Sequence, residues 1–395
     1  MEQGRFLTTG LRPLGGRNDR IISTGPGRLH FIPAAAALRD RGEAVRLITG
    51  WVAPGWLARV WPRLGVRVMP AGISYRACAM AELLTQVAVR LTRWLPANAR
   101  GAVEAAGWRL FGWASRRHIR DAAVFHVRSG AGRGGAIAKA RRQGMLVVVD
   151  HSIVHPGFMA EKLGKEYSVS NLFWRQVLED CDDADVVLVN SEFVRDTFIA
   201  QGFPRSKLHV AYLGVEPEYW KIRRKVASSG PLQLLFVGAF GLRKGAEQLL
   251  DAMEKLREAG VGVSLEVVGS VLPGYRRQIE GVTYHGLVSG ERVREFLKTA
   301  DVFVLPTLAE GCARAVMEAL AAGVCVVTTR ESGAPVVDGE TGFLIPAGDS
   351  GALAERLRWL AVNRSVVESV AKAGALAAQQ YSWERYSAEI LAVIQ

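Results

Sequence analysis

No stretch of this sequence holds the ~18–20 consecutive apolar residues that a membrane-crossing helix needs. The first 19 residues contain Gly, Arg and Pro but no apolar core of a secretory signal. These absences lead to the expectation of a cytoplasmic protein, with peripheral attachment to the inner face of a membrane left open. Cysteine is scarce, at Cys78, Cys181, Cys312 and Cys325. None forms a C-x-x-C pair and nothing nearby has zinc-ligand spacing, so neither a metal site nor a disulfide framework is expected. The four thiols read as small, reduced core residues. Internal repeats and low-complexity segments are also absent.

Negative charge is in short supply, and only in one half. Residues 1–226 hold 34 Lys and Arg against 19 Asp and Glu, a net +15, whereas residues 227–395 carry a net −3. Eight of the ten tryptophans lie in the basic half. Basic residues interleaved with Trp point to an anionic partner there, either a membrane surface or an acidic acceptor. The segment from Cys78 to Arg120 concentrates this character, with Trp94, Trp108, Phe111 and Trp113 among many arginines. It reads as an interfacial helix or as a helix that packs Trp inward and Arg outward. No nucleic-acid motif accompanies the basic charge, so no nucleic-acid partner is expected.

The chain has 395 residues, which suits two domains. Apolar strand-like runs alternate with amphipathic helical runs nearly throughout, the pattern of parallel α/β structure. The first-half runs are Ile21–Thr24, Val45–Thr49, Val66–Met69, Val124–Val127, Leu146–Val149, Val186–Val189 and Leu208–Tyr212. In the second half they are Leu234–Val237, Ser264–Val268, Val302–Leu305, Val324–Thr328 and Gly342–Ile345. The polar, basic stretch from Lys221 to Pro231 ends in Ser-Ser-Gly-Pro, a linker composition. It divides the chain into 1–225, 226–380 and a last helix over 381–395.

Chemistry concentrates in the second half. Phe236-Val-Gly238-Ala-Phe-Gly241-Leu-Arg243-Lys244-Gly245 is a strand, a glycine turn and a helix start with two cations. Free backbone N–H groups at such a helix start attract anions, and Arg and Lys beside them can hold phosphate. Downstream, Glu310-Gly-Cys-Ala-Arg-Ala-Val-Met-Glu318 follows the strand Val302–Leu305. Glu310 falls at the carboxyl edge of the sheet, where open α/β sheets bind ligands, and Glu318 falls inside the next helix. Carboxylates of this kind accept hydrogen bonds from vicinal hydroxyls.

This order of residues resembles glycosyltransferase family 4, retaining enzymes with two Rossmann-like domains in the GT-B arrangement. The resemblance extends to Asn190-Ser191-Glu192, Leu213-Gly214-Val215, Glu331-Ser-Gly333, the stretch Val337 to Pro346, and Tyr381-Ser-Trp383-Glu. It implies a GT-B fold, with parallel sheets facing across a cleft and the last helix crossing back to the first domain. It further implies a nucleoside-diphosphate sugar as donor, of UDP or GDP type, bound by the second domain without an obligatory cofactor or metal. Arg243 and Lys244 would hold the diphosphate, Glu310 the donor sugar and Glu318 the ribose. Gly238, Gly311, Cys312 and Ala313 complete the donor-side set. One departure stands out: Ala239 occupies a position where many members have Arg. The implied activity is hexose transfer to a glycan or lipid-linked acceptor in polysaccharide or lipopolysaccharide assembly.

In the first half, Gly25-Pro-Gly27 follows a strand and resembles the family's N-terminal glycine loop, though a simple tight turn has the same composition. His151, after the strand Leu146–Val149, is the first-half candidate for catalysis; a packed or capping histidine is the alternative. His30, Arg128, Ser129 and Asp150 are acceptor-side candidates. Gly130-Ala-Gly132-Arg-Gly-Gly135 is a literal G-x-G-x-x-G, with Asp150 twenty positions beyond Gly130. An NAD-dependent oxidoreductase built on that loop is therefore one rival reading, and a sugar-nucleotide epimerase of GT-B fold is another.

Overall fold

A computed structural model describes residues 19–27, 30–53, 69–224 and 230–394. Among these, thirteen strands form two fully parallel sheets. The first contains β1 (Asp19–Ser23), β2 (Ala44–Thr49), β3 (Ser74–Ala77), β4 (Val124–Arg128), β5 (Leu146–His151), β6 (Val186–Val189) and β7 (Leu208–Val210). Their spatial order is β3-β2-β1-β4-β5-β6-β7. The second contains β8 (Leu232–Val237), β9 (Val263–Val268), β10 (Val282–Gly286), β11 (Val302–Leu305), β12 (Cys325–Thr328) and β13 (Phe343–Leu344). Its order is β10-β9-β8-β11-β12-β13.

Helices fill the connections. In the first half they are α1 (Phe31–Asp40), α2 (Ala79–Leu91), α3 (Ala97–Ser115), α4 (Ala136–Arg142), α5 (Pro156–Leu163), α6 (Leu172–Asp182), α7 (Glu192–Ala200) and α8 (Pro217–Trp220). In the second half they are α9 (Ala246–Glu258), α10 (Gly290–Thr299), α11 (Arg314–Ala321), α12 (Ser350–Val362), α13 (Arg364–Ala378) and α14 (Trp383–Ile394). No helix among the described residues is long and apolar enough to cross a membrane.

Successive strand residues point to opposite faces, and both faces of each sheet are covered, so strands such as β6 and β11 are apolar throughout. In β5, Val147 and Val149 join one apolar cluster and Val148 joins the cluster on the other face. A third cluster, built on β8, β11 and β12, forms the second-domain core.

The chain crosses between the domains twice, and the crossings touch. Val215 N donates to Tyr381 O at 3.0 Å, and the Tyr212 and Tyr381 rings pack at a tilt with centroids 5.2 Å apart. Gly214 is needed here because a Cβ would collide with the Trp383 backbone. After the second crossing α14 packs on α1, placing Tyr386, Ile390 and Ile394 in the first-domain core.

Several details differ from the sequence reading. The edge strand β3 is exposed throughout and β10 alternates half-buried with exposed side chains, so neither makes an apolar run that periodicity would reveal. The long helical segment from Cys78 is two helices, broken before Pro96, which caps α3. Its tryptophans divide: Trp108 is buried, while Trp94 and Trp113 are exposed. Arg243 and Lys244 stand in a 3-10 turn, and α9 begins only at Ala246. The strand expected over Val66–Met69 lies outside the described residues except for Met69, as does 225–229 of the expected linker.

Candidate functional site

In each sheet the strand order reverses direction around the first strand, between β1 and β4 and between β8 and β11. Loops leaving the carboxyl ends of such neighbours diverge to opposite faces and leave a crevice. In the second sheet those loops are 238–245 and 306–313, which carry the predicted donor residues.

Backbone contacts lock the two loops together. Leu308 N and Thr307 Oγ1 donate to Arg243 O at 2.8 and 2.7 Å, and Arg243 Nη1 donates to Ala309 O at 3.1 Å. Gly245 has φ +71°, and a Cβ there would strike the Pro306 carbonyl. At Gly238, φ +146°, a Cβ would press on the Lys244 side chain, so glycine lets Lys244 lie across the turn.

The result is a three-charge cluster. Arg243 Nη1 and Lys244 Nζ both stand 2.6 Å from Glu310 Oε1. Burial opposes ionisation of Glu310, but Lys244 and Arg243 outweigh it and hold the carboxyl below its ordinary value. The cluster is therefore two cations against one carboxylate, with positive charge left over at a sheet's ligand-binding edge.

Gly311, Cys312 and Ala313 run from this cluster to the start of α11. Cys312 is buried and its thiol is pushed up to about 12, first by burial and then by Glu310, so it is not a nucleophile at neutral pH. Glu318 sits in α11 among different partners: Arg314 at 3.4 Å, with Glu216 and Tyr219 from the crossing segment beside it. Burial raises its carboxyl to about 7, against the pull of Arg314. The structure thus separates the two glutamates, joining Glu310 to the cations and Glu318 to the interdomain crossing.

The first-domain crevice lies between the loop after β1 and the loop after β4. Gly25 and Gly27 both take positive φ, +66° and +100°. Arg128 donates to Pro26 O at 3.2 Å and lies over the Trp108 ring at 4.6 Å. From the other side, Glu82 of α2 accepts from Gly27 N at 2.7 Å and from Trp51 N at 2.5 Å. Next along the edge, Ser129 Oγ bonds His151 Nδ1 at 3.0 Å. His151 is buried, its Nε2 has no hydrogen-bond partner, and burial together with nearby His155 depresses its pKa to about 4. It is a neutral imidazole at physiological pH. His155 caps α5 by accepting from Gly157 N at 3.0 Å.

Two acceptor-side candidates are placed inward. Asp150 Oδ2 lies 2.8 Å from His30 Nε2 and 3.5 Å from His126 Nε2, and accepts from Tyr386 Oη at 3.2 Å. Burial opposes its ionisation, yet the histidines hold the carboxyl well below the usual range. His30 and Asp150 are thus spent on each other and on α14.

The Gly130–Gly135 loop is likewise occupied. Asp180 of α6 accepts from Gly130 N and Gly132 N, both at 2.7 Å, and pairs with Arg133 at 2.6 Å. Gly134 packs against the α3 backbone at Arg109 with no room for a Cβ. Donors that would face a dinucleotide pyrophosphate are consumed internally, and Asp150 is unavailable to a ribose. The oxidoreductase reading is corrected on these grounds. Asp180, His126, Glu82 and Tyr386 carried no motif, and only folding brings them to these loops.

The two crevices face each other. Ser191 Oγ donates to Gly311 O at 2.6 Å, and a Cβ on Gly311 would collide with the Ser152 carbonyl. Ala309 is buried in the first-domain core. The Glu310 loop therefore reaches the first domain directly.

Paired Rossmann-like domains with facing switch-point crevices define the GT-B class. The structure of HepE from Anabaena in complex with UDP and glucose shares this fold, with a TM-score of 0.62, 17% identity, and 95% of this chain and 99% of that one covered. Two family models match, Glycosyltransferase Family 4 over residues 30–219 and Glycosyl transferases group 1 over residues 231–363. The chain belongs to glycosyltransferase family 4. WcaL of Escherichia coli, named as a colanic acid biosynthesis glycosyltransferase, is 33% identical over 190 residues, covering 44% of this chain and 47% of WcaL. AmsK of Erwinia amylovora, an amylovoran biosynthesis glycosyltransferase, is 29% identical over 204 residues, covering 47% and 50%. The chain spans about half the length of the curated relatives it matches.

Proposed function

We propose that this chain is a retaining glycosyltransferase. It moves a hexose-type sugar from a UDP- or GDP-linked donor to a glycan or lipid-linked acceptor, in cell-surface polysaccharide or lipopolysaccharide assembly. The observation that carries this reading is the convergence of Arg243 and Lys244 on Glu310 Oε1, at the switch point of the second sheet and facing the first-domain crevice. The relatives named for exopolysaccharide biosynthesis and the UDP-bound neighbour support it.

Arg243 and Lys244 hold the donor diphosphate, and Glu310 accepts hydrogen bonds from the donor sugar. Glu318 accepts from the ribose hydroxyls, and His151 offers its free Nε2 to the sugar. As a neutral imidazole, His151 orients rather than delivers a proton. The bond from the anomeric carbon to the phosphate oxygen breaks as the acceptor oxygen approaches on the same face. The acceptor proton passes to the departing phosphate, so no protein nucleophile is required. The protein's contribution is charge stabilisation on that leaving group, where one well-placed donor contributes ~2.7–4 kcal/mol to the barrier. Domain closure excludes water and limits donor hydrolysis. Gly25, Gly27, Arg128 and Ser129 line the acceptor side, and the basic first half lies against an anionic membrane surface.

A thermal-shift screen of nucleotide sugars tests the donor assignment, since a ligand of the folded state raises apparent stability. A UDP- or GDP-sugar should raise Tm and then be consumed only with an acceptor present. Turnover without acceptor indicates an epimerase instead, and no response to any nucleotide sugar overturns the reading.

A further inference from the structure

The helix α2 has two unlike faces. Its inner face carries Ala81, Glu82 and Thr85, packed toward α3, where Thr85 meets Gly107 with no space for a Cβ. Its outer face carries Met80, Leu83, Leu84, Val87 and Leu91, all exposed, and Trp94 continues the row just beyond the helix. Their spacing is that of one continuous helical stripe, the pattern that elsewhere in a globular domain faces the core. Here it faces outward. Leu91 is 65% exposed and Trp94 77%. An apolar pocket of about 400 Å³ opens beside the stripe between α2 and α3, lined in part by Met80, Leu84, Leu110 and Trp113, with Arg117 at its wall.

The surroundings of this stripe carry charge of one sign. Residues 71–120 contain eight arginines and two carboxylates. Of those two, Glu82 is buried under the glycine loop and Glu104 is half-buried. Arg90 and Arg93 are exposed on and just past α2. An outward apolar stripe of large side chains, flanked by arginine and free of exposed acid, fits the interface of an anionic bilayer: the side chains enter the acyl boundary and the guanidinium groups meet lipid phosphates. A contiguous exposed patch of this kind calls for a partner, and the one-signed charge favours anionic lipid.

We propose that the outer face of α2 docks this protein on an anionic membrane. The inner face ties that contact to the acceptor side. Glu82 projects from α2 to Gly27 N and Trp51 N, so the docked helix holds the Gly25–Gly27 loop at the lipid surface. A lipid-linked acceptor would then meet the first-domain crevice without leaving the bilayer. This deepens the membrane part of the function proposed above, and docking is measured independently of sugar transfer.

The test is sedimentation of the full chain with phosphatidylglycerol-containing vesicles and with pure phosphatidylcholine vesicles, over a range of salt. The wild type should pellet with the anionic vesicles at low salt and not with the neutral ones. L84E/L91E should bind on the order of tenfold more weakly or worse, and R90Q/R93Q should lose the anionic preference by a similar factor. Thermal melts and nucleotide binding of both variants should match the wild type, since these side chains are exposed and belong to the first domain. Vesicle binding unchanged in L84E/L91E overturns the proposal. So does a wild-type dimer that this variant converts to monomer, because the stripe would then be a contact between copies. A wild type that pellets with anionic vesicles but binds no nucleotide would contradict the transferase reading and leave docking standing.

Discussion

Lys244 Nζ stands 2.6 Å from Glu310 Oε1, on the same oxygen that Arg243 reaches at 2.6 Å. Without donor, one carboxylate thus partly neutralises both cations. On the proposed donor assignment a bound diphosphate brings more negative charge to the same place, so Glu310 would oppose binding while positioning the sugar. The variant E310Q removes that opposition. It should bind UDP or GDP as tightly as the wild type or more tightly, while kcat falls roughly 100-fold, within the range for loss of one transition-state contact. Steady-state kinetics with calorimetric nucleotide titration reads both. Weaker nucleotide binding would show that Glu310 supports the diphosphate site.

Both domains were legible in the sequence because parallel strands covered on both faces are largely apolar runs. β5 and β6 are continuous valine-rich runs and β11 reads Val-Phe-Val-Leu. The two switch-point loops of the second sheet were legible for a related reason: glycine, Arg-Lys and Glu-Gly occupy fixed offsets from strand ends. Residues that act through tertiary contact gave no such signal. Asp150 reads as an edge carboxylate, but only the fold shows Tyr386, 236 positions away, closing over it. Asp180 lies mid-helix, and nothing local reveals that it fills the Gly130 loop.

Glu318 carries a carboxyl raised to about 7, with burial as the main cause. In the proposed ribose-binding role, it is the ionised form that accepts from two ribose hydroxyls. Nucleotide affinity should therefore rise as pH increases from about 6 to 8, and E318Q should flatten that dependence. A titration series across this range checks it; an unchanged pH slope in E318Q would remove Glu318 from the ribose site.

His151 and His155 both have pKa values lowered to about 4, chiefly by burial. The unfolded chain holds such groups near ~6.5. Between those values the unfolded state binds more protons, so this contribution is full above ~6.5 and is lost as pH falls through about 4. Glu318 and Asp180 act with the opposite sign, since the folded state binds their protons more tightly and their cost grows as pH rises toward about 7 and about 6. With His118, His126 and His209 also lowered, the histidines outweigh the two acids below pH 6. Tm should fall from pH 6 to 4.5, and H155N should reduce that slope, because Asn keeps the helix cap without the buried imidazole. Equal slopes for the two proteins would contradict the assignment.

Asp180 satisfies two backbone N–H groups and Arg133 in a buried site, where burial raises its own pKa to about 6. D180A leaves both N–H groups unpaired and takes from Arg133 its buried partner, leaving it Asp183 and the Glu179 carbonyl, and should cost ~3–5 kcal/mol of stability. Denaturant unfolding measures this. Nucleotide binding by the folded fraction should be unchanged, since the loop belongs to the first-domain scaffold.

The central claim is that Arg243 and Lys244 at the second-sheet switch point grip a nucleoside diphosphate. Calorimetric titration of UDP and GDP into the wild type and K244A tests it most directly. The account predicts stoichiometric binding of one of the two nucleotides to the wild type, and affinity lower by about tenfold or more in a K244A protein whose thermal melt is unchanged, the scale of one lost charge-assisted bond. Equal affinity in the two proteins, or binding of neither nucleotide, would contradict it.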